Sequence, residues 1–274
     1  MAVTMADIQA LRKKTGAGMM DCKSALAEAN GDMEKAIEII RKKGQAFAAK
    51  RGDRDASEGC VLAGTNGDFA AIVALKCETD FVAINADFVA LTQAILDAAL
   101  QNKPADLEAL NNIEVDGRKI SDLVTDKMGI TGEKMELGAY ESITASTVTS
   151  YIHPGNRLAT IVGFNKEGVD AQVTRDVAMQ VAAMNPVALT KEEVSEEIRE
   201  REKTIAREKA IEAGKPENIL DRIAEGALDK FYKEFTLVQQ EFIKNPKITV
   251  AQYLEQSDKG LVAVGFKRVS LNAE

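Results

Sequence analysis

Apolar residues recur at spacings of three and four through the first 44 residues, and this period predicts three short helices. Turn-forming residues separate these helices at 16–18 and 30–31, and Gly44 is expected to end the third. The expected N-caps, whose side-chain oxygens can accept a hydrogen bond from the first turn, are Thr4, Asp21 and Asp32. The positions predicted to face a common core are Ile8, Leu11, Ala25, Leu26, Ala29, Ala36, Ile37 and Ile40.

A bundle of this size is rarely stable alone, so we expect it to dock on another surface. The segment that comes next, residues 50–58, is almost wholly polar, and its composition indicates a linker. We therefore predict that residues 1–55 form a small three-helix domain together with its linker.

From residue 59 the apolar residues alternate or run continuously, a pattern that predicts strands. Two strands at 60–63 and 69–75 flank an Asn66-Gly67 pair, which is a strong hairpin signal, and a helix is predicted over 87–100. The same order of elements recurs later in the chain. The elements of this second unit are strands at 148–153 and 158–164, the turn at 154–156 (PGN) between them, and a helix over 173–184.

This recurrence has two explanations, a duplicated hairpin-plus-helix unit and chance, and the pattern alone weights them equally. Residues 72–75 (IVAL) and 161–164 (IVGF) occupy corresponding strands of the two units. With either explanation the predicted fold class is α+β. We expect a core in two parts, an N-terminal subdomain at 56–140 and a C-terminal subdomain at 141–274.

The stretch 187–235 combines alternating charges with an apolar stripe, which predicts two amphipathic helices inserted in the second subdomain. Thr190 and Glu193 form a candidate capping box for the first helix. Residues 214–216 (GKP) must break the chain between the two helices, because proline cannot continue a helix. The prediction is an antiparallel coiled-coil hairpin.

The C-terminal segment, residues 236–274, is predicted to complete the second half of the core. A short helix is expected near 250–254, and an apolar strand is expected over 261–266. We expect that strand to return to the sheet of the second unit.

The composition is that of an ordinary folded protein, with 45% hydrophobic and 28% charged residues in a chain of 274. A formal net charge of −8 argues against a general nucleic-acid binder, since neutralising phosphates needs a basic face. No apolar run approaches the ~18 residues that a membrane span requires, and residues 1–14 lack a signal-peptide pattern. Three cysteines without a Cys-x-x-Cys pair argue against a disulfide framework. We expect a cytoplasmic protein without membrane or direct nucleic-acid partners.

Catalytic chemistry has few candidates, because the chain contains a single histidine, His153. One imidazole cannot build a His-rich metal site, and no Gly-x-Ser-x-Gly element is present for a serine triad. The Gly-Lys pair at 214–215 is followed by proline, so it does not form a phosphate-binding P-loop. We therefore expect a protein that acts by binding, with no catalytic residue, metal site or cofactor. Catalysis by pairs of Asp or Glu residues stays open on composition alone.

The segment 79–83 (TDFVA) lies where a predicted strand has ended and the next helix has not begun. A large aromatic residue after an acid, in such a connection, suits a wedge presented to a partner protein. The alternative is structural: Asp80 caps a turn, and Phe81 packs into the core. Spacing alone favours this structural alternative.

Three segments together resemble the elongation factor Ts family: residues 15–23 (TGAGMMDCK), 30–32 (NGD) and 77–83 (CETDFVA). The resemblance covers essentially the whole chain, and the family's two core halves correspond to the repeated unit. It implies a ubiquitin-associated-like N-terminal domain, a two-part α+β core and a coiled-coil hairpin. The family's basic stretch between the core halves is not evident at 128–136 (MGITGEKME).

The resemblance implies a guanine-nucleotide exchange factor for elongation factor Tu, the translational GTPase. Such a factor binds the GDP-bound and the nucleotide-free GTPase and promotes displacement of its magnesium ion and release of GDP. It is displaced when GTP binds. It makes and breaks no covalent bonds and uses no cofactor, so the resemblance also implies that the chain is not an enzyme in the bond-making sense.

The resemblance also implies roles for individual residues. Phe81 would wedge between helices that flank the nucleotide pocket of the GTPase, within a magnesium-displacement loop that also contains Thr79, Asp80 and Val82. The N-terminal domain would pack on the nucleotide-binding domain of the GTPase. The other implied partner contacts are Lys23, in the N-terminal domain, His153, near the nucleotide-binding domain, and Phe242 and Ile243, against the third domain.

Two other function classes stay open. One is a non-catalytic adaptor whose N-terminal bundle binds some other protein, which would bind without changing nucleotide release. The other is an enzyme that uses Asp or Glu pairs, which would show turnover without a partner protein and a carboxylate-dependent pH profile.

Overall fold

The N-terminal bundle forms where the apolar spacing predicts it. In the computed structural model, which describes residues 3–50 and 52–272, its helices are α1 (Met5–Thr15), α2 (Met19–Glu28) and α3 (Met33–Lys50). Asp32 accepts a hydrogen bond from the backbone N–H of Lys35 at 3.1 Å, as a helix cap does. The apolar residues buried between the helices include Ile8, Leu11, Ala25, Leu26, Ala29 and Ala36, all of them predicted core positions.

Two helix ends differ from the prediction. α2 begins at Met19 with Gly18 as its N-cap, so Asp21 lies in the first turn, where its negative charge complements the helix dipole. α3 does not end at Gly44 but continues to Lys50. The predicted stop was wrong because Gly44 packs against another helix of the chain.

The first predicted hairpin and helix are confirmed, and further short elements come after them. The elements are, in chain order, β1 (Glu58–Asn66), β2 (Phe69–Cys77), α4 (Asp80–Ala83), α5 (Ala86–Asn102), α6 (Leu107–Asn111), β3 (Glu114–Val115), β4 (Arg118–Lys119), α7 (Ile120–Thr131) and β5 (Met135–Thr144). The two-residue loop of the hairpin contains Gly67 at φ +62°, a conformation that glycine adopts without strain.

The second hairpin and helix are confirmed as well. The elements of this part are β6 (Thr147–Ile152), β7 (Leu158–Phe164), α8 (Ala171–Met184), α9 (Glu196–Glu212), α10 (Leu220–Phe235), β8 (Glu241–Phe242), β9 (Asn245–Thr249), α11 (Val250–Ser257) and β10 (Ala263–Ser270). The C-terminal strand β10 pairs antiparallel with β7, so it returns to the second sheet as predicted.

Each half of the core has one three-stranded sheet, and the two sheets share a topology. Their strand orders are β1-β2-β5 and β6-β7-β10, and in each the third strand comes after a helix and pairs with the second hairpin strand. This shared topology supports a duplicated unit. Apolar residues from both sheets, among them Ile72 and Ile161, form a buried layer between the sheets. Because β5 extends to Thr144, we place the boundary between the halves after that residue and not at 140.

The bundle docks on the core through a contact between α3 and α7. Gly44 on α3 faces Gly129 on α7, and a Cβ atom built on Gly129 would lie only 2.6 Å from the Cα atom of Gly44. The two helix backbones can approach this closely because Gly129 carries no side chain at the contact. Gly44, which the sequence indicated as the end of α3, is therefore a helix-packing site inside α3.

The two charged helices form an antiparallel pair. Lys203 bonds Glu225 at 2.9 Å and Arg207 bonds Asp221 at 3.0 Å, so positions that advance along α9 pair with positions that recede along α10. Thr190 makes no side-chain cap hydrogen bond, and α9 is capped instead by Ser195. Within the described residues, neither these helices nor any other is long and apolar enough to cross a membrane.

Candidate functional site

The short helix α4 presents two large apolar side chains to solvent. Phe81 is 79% exposed, and Ile84, the residue that ends the helix, is 76% exposed. Residues three apart lie on the same side of a helix, so the two form one apolar edge. Ala83 and the half-buried Val82 pack inward against the first core. A single exposed apolar residue needs no explanation, but two adjacent ones on a short connection indicate a contact surface.

The structural alternative for this segment is wrong on both counts. Thr79, not Asp80, is the N-cap of α4, because its hydroxyl oxygen accepts a hydrogen bond from the backbone N–H of Val82 at 3.4 Å. Phe81 does not pack into the core. Asp80 is exposed, and its carboxylate has no hydrogen-bond partner in the part of the chain that the structure describes. Asp80 and Phe81 are therefore both available to a partner.

Thr79 itself is firmly held. The carboxylate of Glu133 accepts hydrogen bonds from the Thr79 backbone N–H at 3.0 Å and from its hydroxyl at 2.6 Å. One residue away, Glu78 accepts from the backbone N–H of Lys134 at 2.6 Å. The thiol of Cys77 donates to the Thr79 carbonyl oxygen at 3.2 Å. The start of α4 is thus fixed to the segment between α7 and β5.

The thiol of Cys77 is a structural donor and not a nucleophile. Burial, and secondarily the negative charge of Glu133, raise the pKa of the Cys77 thiol to about 12. We expect alkylation of Cys77 by iodoacetamide at pH 8 to be slow in the folded protein and fast in urea, as measured by mass spectrometry of the labelled peptide. Equal rates in the two conditions would contradict the burial of this thiol.

His153 begins a tight turn beside α4. Its carbonyl oxygen accepts from the backbone N–H of Asn156 at 3.1 Å, and Gly155 has φ +94°, which matches a type II turn with proline and glycine at its centre. Its imidazole Nδ1 lies 3.1 Å from the hydroxyl of Tyr151. The sequence alone indicated a residue at a turn edge, and this is what the structure shows.

The turn and α4 lie on the same side of the molecule. Asp80, Ala83 and Ile84 line one side of a cavity of about 270 Å³, and Gly155, Asn156 and Arg157 line another. Arg157 is fixed by an ion pair with Glu58 at the start of β1. We call residues 79–84 together with the turn 153–157 the Phe81 surface. Its second apolar residue, Ile84, was missed by sequence reasoning, since spacing alone does not reveal exposure.

Lys23 lies on a different element. It is exposed on α2, where Met19 and Met20 are also exposed, Met20 to 72%. Methionine side chains adapt readily to a partner's surface. The N-terminal bundle therefore presents an apolar and basic patch of its own, separate in the chain from the Phe81 surface.

The two C-terminal candidates differ in exposure. Phe242 is 3% exposed and stacks on Tyr253 with ring centroids 4.0 Å apart, whereas Ile243 is 37% exposed. The buried amide of Gln180 on α8 accepts from the Ile243 backbone N–H at 2.9 Å. In this conformation Phe242 is part of the core beneath the C-terminal segment, and Ile243 is the residue that a partner can contact. Across residues 3–50 and 52–272, no group of three or more His, Cys, Asp or Glu side chains is placed to hold a metal ion.

Comparison with known proteins identifies the family. A family model described as elongation factor TS matches residues 78–273, a range that begins one residue before Thr79. This chain belongs to the elongation factor Ts family. Elongation factor Ts of Porphyromonas gingivalis (strain W83) is 62% identical over 275 residues, and that of Azobacteroides pseudotrichonymphae is 57% identical over 274. Both alignments cover all of both chains, so the elongation factor Ts likeness includes the N-terminal bundle.

Elongation factor Ts of Amoebophilus asiaticus is 50% identical over 277 residues, again across the full length of both chains. Membership in the elongation factor Ts family gives the chain a role in translation elongation. The match also confirms the family that residues 15–23 and 77–83 indicated. It assigns no roles to individual residues, so these depend on the exposure and contacts of the side chains themselves.

Proposed function

We propose that this chain is the guanine-nucleotide exchange factor for elongation factor Tu. It binds the GDP-bound GTPase, weakens the hold of the GTPase on its magnesium ion and on GDP, and leaves when GTP binds. Two things support the proposal, membership in the elongation factor Ts family and the exposed apolar edge of α4. The second of these, with Phe81 79% exposed beside Ile84, is the observation that carries it.

The proposed mechanism is thermodynamic coupling without bond-making chemistry. Binding free energies are reciprocal, so a factor that binds the nucleotide-free GTPase better than the GDP-bound form must lower the affinity for GDP by the same factor. Burial of Phe81 between partner helices supplies this difference only if those helices have moved apart. The same movement shifts groups near the magnesium ion, which bridges nucleotide phosphates to the GTPase.

The exposed Asp80 fits this arrangement. An exposed carboxylate next to the wedge residue adds a negative charge near the magnesium-binding region of the GTPase. The exposed His153 and its turn, whose residues 155–157 line the cavity next to α4, provide a second contact. Lys23 and Ile243 complete the proposed interface from the N-terminal bundle and the C-terminal segment, with Phe242 as the support of Ile243.

Release of a fluorescent GDP from elongation factor Tu tests the proposal. The GTPase is loaded with labelled GDP and mixed with excess unlabelled nucleotide, with and without this protein. Strong acceleration supports the exchange function. Stable complex formation without acceleration would instead favour an adaptor, for which the exposed Met19 and Met20 beside Lys23 would be the binding patch.

Ile84 is expected to contribute to exchange alongside Phe81. Truncating it to alanine removes three carbon atoms, each worth up to about 0.8 kcal/mol when buried, and partial burial at the interface gives an expected loss of about 1 kcal/mol. We expect Ile84→Ala to slow GDP release about fivefold at limiting factor concentration. Val262→Ala, on an exposed part of the chain before β10, is the control. Unchanged release with Ile84→Ala would remove Ile84 from the interface.

A further inference from the structure

Glu133 holds the start of α4 from a distant part of the chain. Its two carboxylate oxygens accept from the two donors of a single residue, the backbone N–H of Thr79 at 3.0 Å and its hydroxyl at 2.6 Å. Hydrogen bonds to a carboxylate are stronger than those between neutral groups, and two together fix orientation as well as position. The same hydroxyl caps α4 through the N–H of Val82, so the orientation of Thr79 sets the direction of the helix.

A second bond runs in the opposite direction between the same two segments. Glu78 accepts from the backbone N–H of Lys134, while Glu133 accepts from the backbone N–H of Thr79. Each segment thus supplies one carboxylate and one N–H to the other. Lys134 also donates through its ammonium group to the carbonyl oxygens of Gly52 and Arg54, which ties the contact to the chain before β1.

The residues that would meet a partner have little other support. Phe81 and Ile84 are mostly exposed, and α4 is only four residues long. The inward contacts of the helix are those of Val82 and Ala83, and the Cys77 thiol also donates to the Thr79 carbonyl oxygen. The bidentate bond of Glu133 adds a charged restraint on both donors of Thr79.

We propose that Glu133 is the positioning residue of the Phe81 surface: it holds Thr79 so that Phe81 and Ile84 are already oriented before the partner binds. Ordering a flexible segment at binding would cost free energy, and a prepositioned segment avoids that cost. The proposal rests on the proposed exchange function. Glu133 acts on the partner only through Thr79.

The test is GDP release from elongation factor Tu with the full-length chain and its variants. We expect Glu133→Ala to slow release about tenfold, an order of magnitude that corresponds to the loss of the two carboxylate hydrogen bonds. Glu133→Gln is expected to restore part of the rate, because its amide oxygen still accepts from the Thr79 N–H. Glu136→Ala is the matched control, since Glu136 lies on β5 three residues after Glu133 and pairs with Lys76 and Lys134 but not with Thr79.

A double-mutant comparison separates positioning from general stability. If Glu133 acts through Phe81 and Ile84, Glu133→Ala will slow release tenfold in the parent and hardly at all in a background that carries both Phe81→Ala and Ile84→Ala. Amide hydrogen exchange at 79–84 should also become faster in Glu133→Ala, while the melting temperature stays close to that of Glu136→Ala. Equal slowing in both backgrounds, or an unchanged rate in the parent, would overturn the positioning role.

The parent protein distinguishes the two proposals. If the parent protein accelerates GDP release and Glu133→Ala accelerates it equally, the positioning role is overturned and the exchange function is kept. A parent that fails to accelerate release overturns the exchange function, and the role of Glu133 falls with it.

Discussion

Replacing Phe81 with alanine is expected to slow GDP release from elongation factor Tu about thirtyfold. A large aromatic side chain at the centre of an interface typically contributes about 2 kcal/mol or more, and 2 kcal/mol corresponds to about thirtyfold. Because Phe81 is 79% exposed in the free protein, the substitution removes no core packing. The fold is therefore expected to be unchanged, and the loss appears only in the complex.

The location of the effect is as informative as its size. A wedge that has its partner only in the opened GTPase contributes to release more than to the first encounter. We therefore expect Phe81→Ala to lower the rate of GDP release at a saturating concentration of this protein, and not only to raise the concentration that gives half of the maximal rate. Phe235→Ala on α10 is the size-matched control, since Phe235 is also partly exposed but lies outside the Phe81 surface. A parent-like rate for Phe81→Ala at saturation would remove the wedge from the mechanism.

The long periodic elements were predictable from the sequence because their patterns are local. The helix α5 and the strands around Asn66-Gly67 have spacings that depend only on which face is buried. The segment 103–134 was not predicted. β3 and β4 are only two residues long and show no period, whereas α7 was missed although it buries Ile120, Val124 and Met128 at a spacing of four. Gly44 was misjudged for a different reason. A glycine that ends a helix and one that packs against another helix are identical in sequence, and only the position of Gly129 distinguishes them.

The candidate site was predictable in part. The resemblance indicated Phe81 and its neighbours, whereas spacing alone favoured a buried Phe81, which the structure contradicts. Ile84 and Glu133 carried no signal. The exposure of Ile84 depends on how a four-residue helix is oriented, and the bond from Glu133 to Thr79 joins residues far apart in the chain. Contacts of this kind result from the packing of α7 and from the pairing of β5 with β2 in the first sheet, which no local pattern encodes.

Gly129→Ala is expected to destabilise the docking of the N-terminal bundle, whereas Gly44→Ala at the same contact is expected to be tolerated. A Cβ atom on Gly129 would lie 2.6 Å from the Gly44 Cα atom, which is backbone and cannot move aside without separating the helices. A Cβ atom on Gly44 would lie 3.6 Å from its nearest neighbours, which is ordinary van der Waals contact. Overpacking costs about 1–3 kcal/mol, while glycine to alanine within an unhindered helix gains up to about 1 kcal/mol.

These terms give opposite signs for the two substitutions. We expect Gly129→Ala to lower the free energy of unfolding by about 2 kcal/mol and Gly44→Ala to leave it unchanged or raise it slightly. Gly226→Ala on α10, with no neighbour within 4 Å, gives the intrinsic gain of the substitution. Urea unfolding and limited proteolysis between α3 and β1 measure the effect. Equal stability of the Gly129 and Gly44 variants would contradict the asymmetry, because it would mean that the two helices do not approach as closely in solution as these glycines allow.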